Sequence, residues 1–369
     1  MTDTAPEPIV VSHTLGHYAV FVAPGALGRL EELVREQFGS RRVVMIADDT
    51  VYGLLQQGKL GSTPWPGTAL TFASGEASKT REQWARLTDR LLDEGYGRDS
   101  AVVALGGGVA GDLAGFVAAT YMRGVPYLQV PTSLLAMLDA SVGGKTGVDT
   151  PQGKNLIGAF HPPAAVLADP RTLRTLPERN YRGGMAEAVK HGLIADRSYF
   201  EWMKHEADAL LRRDEAALTR LVHRSIQIKA EVVSDDEREA GRRAILNAGH
   251  TVAHALEQIT GYAIPHGEAV ALGLIAESAL AEDLELAPRG LHQQVAELLE
   301  RLGLPTSLEQ PLDPDQLILA MATDKKNRAD TIRFALPSGL GAMAPGDRWT
   351  HPAPERAIRR ALGAVNGER

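Results

Sequence analysis

The residue types best suited to metal chemistry lie together near the middle of the chain. In the segment Asn247-Ala-Gly-His-Thr-Val-Ala-His254, the two histidines are four positions apart, so on a helix they share one face. His266 follows after a short connection, in His266-Gly-Glu268. Imidazole nitrogens in this arrangement suit a divalent metal such as zinc. The alternative is that His250 and His254 form an ordinary solvated or hydrogen-bonded face of an amphipathic helix.

A carboxylate that could complete a metal site lies upstream of the histidines. Glu187 lies in the segment 183–191, a predicted helix whose residues around it are mostly apolar. A carboxylate there is costly to bury unless it is paired or binds a metal. Arg243 and Asn247 stand beside the histidines and could bind an anion or a hydroxyl group. This combination is typical of a reaction centre rather than of a structural metal site.

The composition limits the class of protein. A chain of 369 residues exceeds a usual single core, so two domains are expected. Its hydrophobic content of 44% and charged content of 23% are typical of a soluble globular protein. The net charge of −7, with no basic arm, argues against nucleic acid as the main partner. The absence of cysteine excludes disulfides, thiolate catalysis and cysteine-based metal sites.

Two features of the sequence bear on the compartment. The N-terminal segment shows no basic region followed by an apolar core, so no signal peptide is expected. No apolar run approaches the length of a membrane span, so no contact with a membrane is expected. The cytoplasm is therefore the expected location.

The first half of the chain alternates between strand and helix patterns. Buried strands are predicted at 41–47, 69–73, 100–105 and 126–131. Helices are predicted near 25–37, 79–95 and 109–119. This alternation predicts a mostly parallel sheet covered by helices. The first twenty or so residues suggest a small antiparallel pair instead.

The second half of the chain is predicted to be almost wholly helical from about 184 to 325, so a domain boundary is placed near 180. Long apolar stripes indicate helices over 214–235 and 267–284. Residues 235–239 are interpreted as a polar turn or solvated segment. Residues 331–336 are predicted to form one late strand, and the tail after 345 is interpreted as polar and mobile.

A glycine-rich turn follows the predicted strand 100–105. Gly106, Gly108 and Gly111 match the pattern G-x-G-x-x-G between a strand and a helix, where a dinucleotide pyrophosphate can approach the backbone. The alternative is a plain tight turn between strand and helix. The acidic residue usually found about twenty positions later is missing. Ribose recognition must then come from elsewhere, and the candidates are Asp48, Glu76 and Lys79.

A lysine-containing segment spans residues 139–155. Its Gly144-Lys145-Thr146 resembles part of a nucleotide-phosphate loop, but position 139 is Asp where that motif requires Gly, so a triphosphatase is rejected. Lys145, Lys154 and Asn155 beside flexible glycines suit a phosphorylated small molecule. The alternative is a surface loop with solvated lysines.

Several long motifs in the same order resemble the 3-dehydroquinate synthase family of sugar phosphate cyclases. The resemblance extends from about residue 15 to residue 340 and is strongest in 106–124, 143–160, 247–251 and 266–268. It implies a Rossmann-like α/β NAD-binding domain over residues 1–180 and an all-α metal-binding domain over residues 181–369, with the active site in the cleft between them. It also implies a homodimer.

The resemblance assigns roles to individual residues. It implies that zinc or cobalt is held by Glu187, His250 and His266, so that His254 faces the substrate. The substrate pocket is implied to contain Asp139, Lys145, Lys154, Asn155, Lys190, Lys229, Arg243, Asn247, His254 and Lys326, with Arg123 reaching the phosphate from the neighbouring subunit. The implied NAD contacts are Asp48, Glu76, Lys79, Gly107, Gly108, Asp112, Thr132 and Ser133, with Asp139, Lys145 and Lys154 also assigned to cofactor binding.

The implied reaction converts 3-deoxy-D-arabino-heptulosonate 7-phosphate to 3-dehydroquinate and phosphate, a step of the shikimate pathway to aromatic amino acids. NAD transiently accepts a hydride, phosphate leaves by β-elimination, the hydride returns, and an intramolecular aldol step closes the ring. The enzyme is therefore implied to be a carbon–oxygen lyase. Lys145, Asn155, His254 and Arg123 are assigned to the phosphate.

Lys229, Arg243 and Asn247 are assigned to the carboxylate and hydroxyl groups of the substrate, and His254 also to proton relay. Two departures from the family pattern bear on NAD affinity. Thr50 stands where the family often has Asn, and Thr132-Ser133 replaces a Thr-Thr pair.

Three alternatives stay open. The first is another sugar phosphate cyclase, which would make an amino-dehydroquinate, a deoxy-inosose or a valiolone. Arg243, Asn247 and the run Asp324-Lys-Lys326 favour a substrate with a carboxylate, which leaves the amino analogue as the strongest of these. The second is a metal-dependent NAD alcohol dehydrogenase of the glycerol dehydrogenase type, which needs no phosphate-binding lysines. The third is a catalytically inactive binding module.

Overall fold

The computed structural model describes residues 7–323 and 331–367. The chain divides into two compact units, one formed by Met1–Pro177 with Leu218–Ser234 and the other by Glu178–Ala217 with Asp235–Arg369. The predicted division at residue 180 places the segment Leu218–Ser234 in the second domain, whereas the structure groups it with the first. No helix within the described residues is long and apolar enough to cross a membrane.

The first unit is built around a mixed sheet. Its strands are β1 (Ile9–His13), β2 (Gly16–Val22), β3 (Arg42–Asp48), β4 (Ala69–Phe72), β5 (Ser100–Gly106), β6 (Tyr127–Pro131), β7 (Lys145–Thr150), β8 (Gly153–Phe160) and β9 (Ala165–Ala168). Among the described residues, seven of these strands form one sheet in the order β1-β2-β9-β6-β5-β3-β4. The β1–β2 pair is antiparallel, as predicted, and every other neighbouring pair in this sheet is parallel.

Helices cover both faces of the sheet. They are α1 (Leu30–Phe38), α2 (Asp49–Gln56), α3 (Arg81–Asp93) and α4 (Gly108–Thr120). Side chains of β5 alternate between two apolar clusters: Val102 and Ala104 join one, and Val103 and Leu105 join the other. Because both faces are buried, the strand has a continuous apolar sequence, which is the signal that predicted it.

The segment predicted as a lysine-containing loop is instead a β-hairpin. Strands β7 and β8 pair antiparallel, with Lys145 opposite Phe160 and Thr150 opposite Gly153. The glycines of this segment suggested a flexible loop, but Gly147 instead faces Gly158 across the hairpin, where the two backbones approach closely. A Cβ on Gly158 would lie 2.2 Å from the carbonyl oxygen of Thr146.

The second unit is mainly helical. Its helices are α5 (Glu178–Ala195), α6 (Arg197–His205), α7 (Ala207–Leu211), α9 (His250–Ile259), α10 (His266–Asp283), α11 (Leu291–Arg301), α12 (Pro314–Thr323) and α13 (Glu355–Gly363), while α8 (Glu215–Asp235) lies mostly in the first unit. Short antiparallel pairs join β10 (Arg333–Phe334) to β13 (His351–Pro352) and β11 (Pro337–Gly339) to β12 (Ala342–Met343).

The interpretation of the tail after residue 345 as mobile is wrong. Helix α13 buries Ala357, Ile358, Ala361 and Leu362, which form one apolar stripe at helical spacing. The stripe contains two alanines and lies among four charged residues, so the polar composition of the tail concealed it. The tail is therefore part of the core of the second unit.

Candidate active site

Three side chains of the second unit form a compact group of potential metal donors. Glu187 lies in the middle of α5, His250 is the first residue of α9, and His266 is the first residue of α10. Glu187 Oε1 lies 3.6 Å from Nε2 of His250 and 3.6 Å from Nε2 of His266. One donor atom from each residue lies within 4.8 Å of the other two. Two imidazoles and a carboxylate at these separations suit a divalent metal with open coordination positions.

His254 takes a different place from the one that its spacing suggested. It lies one turn after His250, and the two rings meet edge to face with centroids 5.6 Å apart. The donor group given above contains Glu187 in its place. The assignment of Glu187, His250 and His266 as metal ligands stays a prediction.

Each histidine of the donor group has a hydrogen-bonding group on its other ring nitrogen. Nδ1 of His266 lies 3.2 Å from Glu257 Oε2, and Nδ1 of His250 lies 3.1 Å from the carbonyl oxygen of Ala248. A partner on Nδ1 fixes the orientation of an imidazole and the tautomer that presents Nε2. Both rings are therefore held in place by neighbouring residues, Glu257 and Ala248.

The two imidazoles differ in proton affinity. Burial, together with the nearby ammonium group of Lys190, holds the pKa of His250 well below its usual value. Burial also acts to lower the pKa of His266, but the carboxylates of Glu187 and Glu257 outweigh it and raise that pKa to about 9. Lys190 is itself buried and forms an ion pair with Glu187 one helical turn earlier. The donor group therefore carries both charged and neutral members.

The predicted anion-binding residues Arg243 and Asn247 lie at the two ends of a short helical turn, Arg242–Asn247. Arg243 is buried, and its backbone N–H donates to Asp236 Oδ2 at 3.0 Å. The side-chain amide of Asn247 donates to Glu239 Oε1 at 2.6 Å. A buried guanidinium and a positioned amide are suited to a carboxylate or a hydroxyl group.

Residues 235–239 do more than form a solvated turn. The Asp236 carboxylate accepts hydrogen bonds from the backbone N–H groups of Ala240, Gly241 and Arg243. Burial acts to raise the pKa of Asp236, but these N–H groups lower it below the usual value. The sequence interpretation therefore missed Asp236 and Glu239, whose carboxylates contact the segment that carries Arg243 and Asn247. An Asp shortly before a glycine in a polar segment is the signal that could have indicated a turn held by its carboxylate.

The glycine turn of the first unit places the start of α4 at the carboxyl end of β5. Gly106 has a φ of 147°, and a Cβ at this position would lie 2.7 Å from Ala110 Cβ and 2.8 Å from Asp48 Oδ2. Only glycine fits this close approach. Gly107 caps α4 without any side chain, so the first amide groups of the helix are left for another acceptor.

Asp48 is a candidate for the acidic group that is missing after the glycine turn. It ends β3, the strand next to β5 in the sheet, and its Oδ1 accepts from Val51 N at 2.8 Å and from Ser74 Oγ at 2.7 Å. Thr132 follows β6 on the other side of β5, and its N–H donates to the carbonyl oxygen of Gly106 at 2.8 Å.

Ser133 is also at this edge of the sheet, and its Oγ accepts from Ala136 N at 3.3 Å. The residues implied to contact NAD at the carboxyl ends of β3, β5 and β6 therefore lie around one turn, where ligands bind in open α/β sheets.

Lys79 contacts two other predicted site residues, Asp112 and Asn155. Its buried ammonium group lies 2.6 Å from Asp112 Oδ2 and donates to Asn155 Oδ1 at 2.5 Å. Burial acts to lower the pKa of Lys79, but the carboxylates of Asp112 and Glu76 raise it overall. Asn155 has a φ of 54° and its N–H donates to Asp149 Oδ1 at 2.8 Å, so the hairpin holds it in a left-handed conformation.

A second buried lysine of the first unit, Lys229, forms an ion pair with the half-buried Asp139. Lys229, on α8, donates to Asp139 Oδ1 at 2.7 Å and to the Asp139 carbonyl oxygen at 2.5 Å. Lys145 is exposed and Lys154 half-buried on the hairpin. Arg123 is exposed at the end of a short helical turn, with a φ of 68°. Lys326 lies outside the described residues.

Comparison with known proteins gives matches over most of the chain. Residues 69–183 match the family model described as 3-dehydroquinate synthase N-terminal, and residues 184–327 match the one described as 3-dehydroquinate synthase C-terminal. The 3-dehydroquinate synthase of Symbiobacterium thermophilum is 46% identical, over 94% of this chain and 98% of that protein.

Solved structures of related enzymes have the same fold. A 2-deoxy-scyllo-inosose synthase complexed with carbaglucose-6-phosphate, NAD+ and Co2+ is 28% identical and superposes with a TM-score of 0.86, over 96% of this chain and 99% of that one. The 2-epi-5-epi-valiolone synthase from Streptomyces hygroscopicus subsp. jinggangensis 5008, with NAD+ and Zn2+ bound, is 28% identical with a TM-score of 0.81, over 94% and 95% of the two chains.

Proposed function

The chain belongs to the 3-dehydroquinate synthase family, and we propose that it converts 3-deoxy-D-arabino-heptulosonate 7-phosphate to 3-dehydroquinate and inorganic phosphate. In this role it is a carbon–oxygen lyase of the shikimate pathway, which leads to the aromatic amino acids. The observation that carries the proposal is the donor group Glu187, His250 and His266 in a chain that matches these synthases over nearly its whole length.

Glu187, His250 and His266 would hold a divalent metal, zinc or cobalt. Two imidazoles and one carboxylate are a donor set that suits either ion, and Co2+ and Zn2+ are found in the two related structures. When bound, the metal supplies a Lewis acid for substrate hydroxyl groups. Glu257 and the carbonyl group of Ala248 orient the two imidazoles, and Lys190 balances the charge of Glu187.

NAD would bind in the first unit, at the carboxyl ends of β3, β5 and β6. The turn at Gly107 and Gly108 lets a pyrophosphate approach the amide groups that begin α4, and Asp48 accepts from a ribose hydroxyl. When bound, NAD supplies a hydride acceptor that is regenerated within one turnover. The residues proposed to complete the cofactor site are Glu76, Lys79, Asp112, Thr132, Ser133, Asp139, Lys145 and Lys154.

The substrate carries a phosphate, a carboxylate and several hydroxyl groups, which explains the number of cationic and amide side chains. Lys145, Asn155 and Arg123 bind the phosphate as it leaves, and Lys154 adds to the positive charge there. Lys190, Lys229, Arg243, Asn247 and Lys326 bind the carboxylate and the hydroxyl groups. His254 contacts the phosphate and moves a proton through its imidazole.

We further propose that the enzyme is a homodimer and that Arg123 acts on the phosphate bound by the neighbouring subunit. Arg123 is exposed, and the β8 edge of the hairpin also exposes Leu156, Ile157 and Phe160. A cluster of large apolar side chains on a surface hairpin is typical of a protein–protein interface.

The test of the proposed function is inorganic phosphate release from 3-deoxy-D-arabino-heptulosonate 7-phosphate with catalytic NAD. Release should require NAD, stop after treatment with a chelator, return with zinc or cobalt, and leave no net NADH. Net accumulation of NADH would indicate an alcohol dehydrogenase instead. Absence of release by the metal-loaded protein would contradict the proposal, and the amino analogue would then be the next substrate to test.

A further inference from the structure

Glu277 is a buried carboxylate that the proposed chemistry does not use. It lies on α10, three helical turns after His266, and its side chain is almost completely inaccessible to solvent. Its Oε2 accepts from Gly249 N at 2.7 Å, and its Oε1 accepts from Thr251 N at 3.0 Å and from Val252 N at 3.2 Å. These backbone groups flank His250 on both sides. A carboxylate from one helix therefore caps the N-terminus of another.

Helix α9 has no cap of its own. Its N-cap residue is Gly249, with a φ of 80°, which offers no side-chain oxygen to the first amide groups. Such amide groups are costly to bury without an acceptor, and an anion at a helix N-terminus is favoured by the helix dipole. Glu277 therefore performs a task that Ser, Thr, Asp or Asn performs in most helices.

The cap works together with a close approach of the two backbones. A Cβ on Gly273 would lie 1.9 Å from the carbonyl oxygen of Gly249, so α9 and α10 touch at two glycines one turn before Glu277. A similar contact joins α10 to α5, because a Cβ on Gly267 would lie 2.2 Å from the carbonyl oxygen of Gly183. Helix α10 thus contacts both of the other helices that carry donor residues.

We propose that Glu277 is a positioning residue for the metal site: by binding the amide groups on either side of His250, it fixes that imidazole relative to His266 before the metal arrives. The inference rests on the proposed function only in that Glu187, His250 and His266 bind a metal. Preorganised donors bind a metal more tightly than donors that must first be ordered, because the ordering costs free energy at the moment of binding. Loss of the cap should therefore lower metal affinity.

Glu277→Gln is the variant that tests the proposal. The substitution keeps the shape of the side chain but leaves one acceptor oxygen, and its NH2 group then faces backbone N–H groups that need an acceptor. We expect the affinity for Co2+, measured without substrate by competition with a chromogenic chelator, to fall about 10- to 100-fold, as for other residues that orient metal ligands. The visible absorption of bound Co2+ should change as well, since it reports ligand geometry.

Glu282→Gln is the matched control. Glu282 lies on the same helix, and its Oε1 accepts from His292 N at 2.7 Å in the first turn of α11, which carries no donor residue. Both variants should lower the thermal stability of the metal-free protein, but only Glu277→Gln should lower the Co2+ affinity and alter the spectrum. Wild-type affinity in Glu277→Gln would overturn the proposal, and so would an equal loss of affinity in Glu282→Gln.

A measurement on the wild-type protein covers the case in which Glu277→Gln does not fold. If Glu277 holds this segment in advance, amide hydrogens in a peptide covering residues 247–254 should exchange slowly in the metal-free protein. Fast exchange that slows only when metal is added would show that the metal orders the helix, and would overturn the proposal. Neither experiment includes the substrate, so a protein that fails to release phosphate can still show metal positioning by Glu277.

Discussion

At the scale of single residues, the donor group combines two imidazoles whose pKa values are shifted in opposite directions from the usual value for histidine. His250 is buried near Lys190, and both effects favour its neutral form. His266 has the carboxylates of Glu187 and Glu257 on its two ring nitrogens, and these favour the protonated form despite burial. In the metal-free protein at neutral pH, one ligand is therefore ready to bind and the other carries a proton.

This difference predicts how metal affinity depends on pH. Because the pKa of His266 is raised to about 9, a metal that binds below this pH must displace a proton. The Co2+ affinity should fall about tenfold for each unit by which the pH drops between pH 8 and pH 7, with about one proton released. Isothermal titration calorimetry in buffers of different ionisation enthalpy measures that proton. A flat affinity over this range would contradict the pKa assigned to His266.

Glu257→Gln provides the matched control for the pH dependence. It removes one of the two carboxylates that raise the pKa of His266, while Gln keeps an oxygen that can accept from Nδ1. The region in which affinity changes with pH should therefore move to lower pH in this variant. An unchanged profile would show that Glu257 is not a cause of the raised pKa.

At the scale of elements, helix α10 joins the elements that carry the donor residues through glycines rather than through side chains. Gly273→Ala would place a methyl group against the carbonyl oxygen of Gly249, and neither backbone can move away easily. We expect a loss of about 1–3 kcal/mol in the free energy of unfolding, together with weaker Co2+ binding, because α9 must shift. Denaturant titration and chelator competition measure these two effects.

Gly53→Ala is the control for this substitution. Gly53 lies within α2, and a Cβ there would meet no atom within 4 Å. Alanine in an unobstructed helical position should stabilise the protein by about 0.5–1 kcal/mol, since glycine loses more backbone freedom on folding. If both substitutions stabilise the protein, close packing of α9 against α10 is not what requires glycine at position 273.

Elements with a strong hydrophobic pattern could be predicted from the sequence, and others could not. The apolar run 101–105 predicted β5, and the apolar stripes over 214–235 and 267–284 predicted α8 and α10. Each prediction agrees with the observed ends to within a residue or two. The hairpin 145–160 was missed because its glycines and charged residues suggest a loop, although the glycines serve close backbone pairing. Helix α2 was also missed, and α13 was interpreted as a mobile tail.

For the candidate site, the sequence predicted which residue types are present but not how they are supported. Histidine spacing indicated a metal site with Glu187 as its carboxylate, yet spacing alone also placed His254 with the ligands, since it does not show which side chains meet in the folded helices. Glu277 gave no signal, because a single glutamate in an apolar helix does not reveal that it caps another helix. Asp236 was hidden in the same way within a polar segment.

At the scale of the whole molecule, the residues proposed for NAD and those proposed for the metal belong to different units. Asp48, Lys79 and the glycine turn lie in the first unit, and the three donor residues lie in the second. Segment Leu218–Ser234 of α8 follows part of the second unit along the chain, but it is grouped with the first, where Lys229 contacts Asp139. The order of residues along the chain cannot reveal that this segment belongs to the first unit.

This division predicts separate responses to the two ligands. Because a ligand protects the structure that binds it, Zn2+ should further slow amide exchange in α5, α9 and the start of α10, although the first turn of α9 should already exchange slowly without metal. NAD should slow exchange in residues 106–112, and Zn2+ should leave Leu218–Ser234 unchanged. Hydrogen–deuterium exchange with peptide-level mass spectrometry measures all of these segments at once.

His266→Ala is the control for the separate responses, since it removes one donor from the metal group while leaving the first unit intact. The variant should lose the protection by Zn2+ and keep the protection by NAD. Equal protection of Leu218–Ser234 and α9 by Zn2+ in the wild-type protein would show that α8 responds with the second unit. In that case α8 would unfold together with the second unit, although most of it is grouped with the first, because segments that unfold together share their protection.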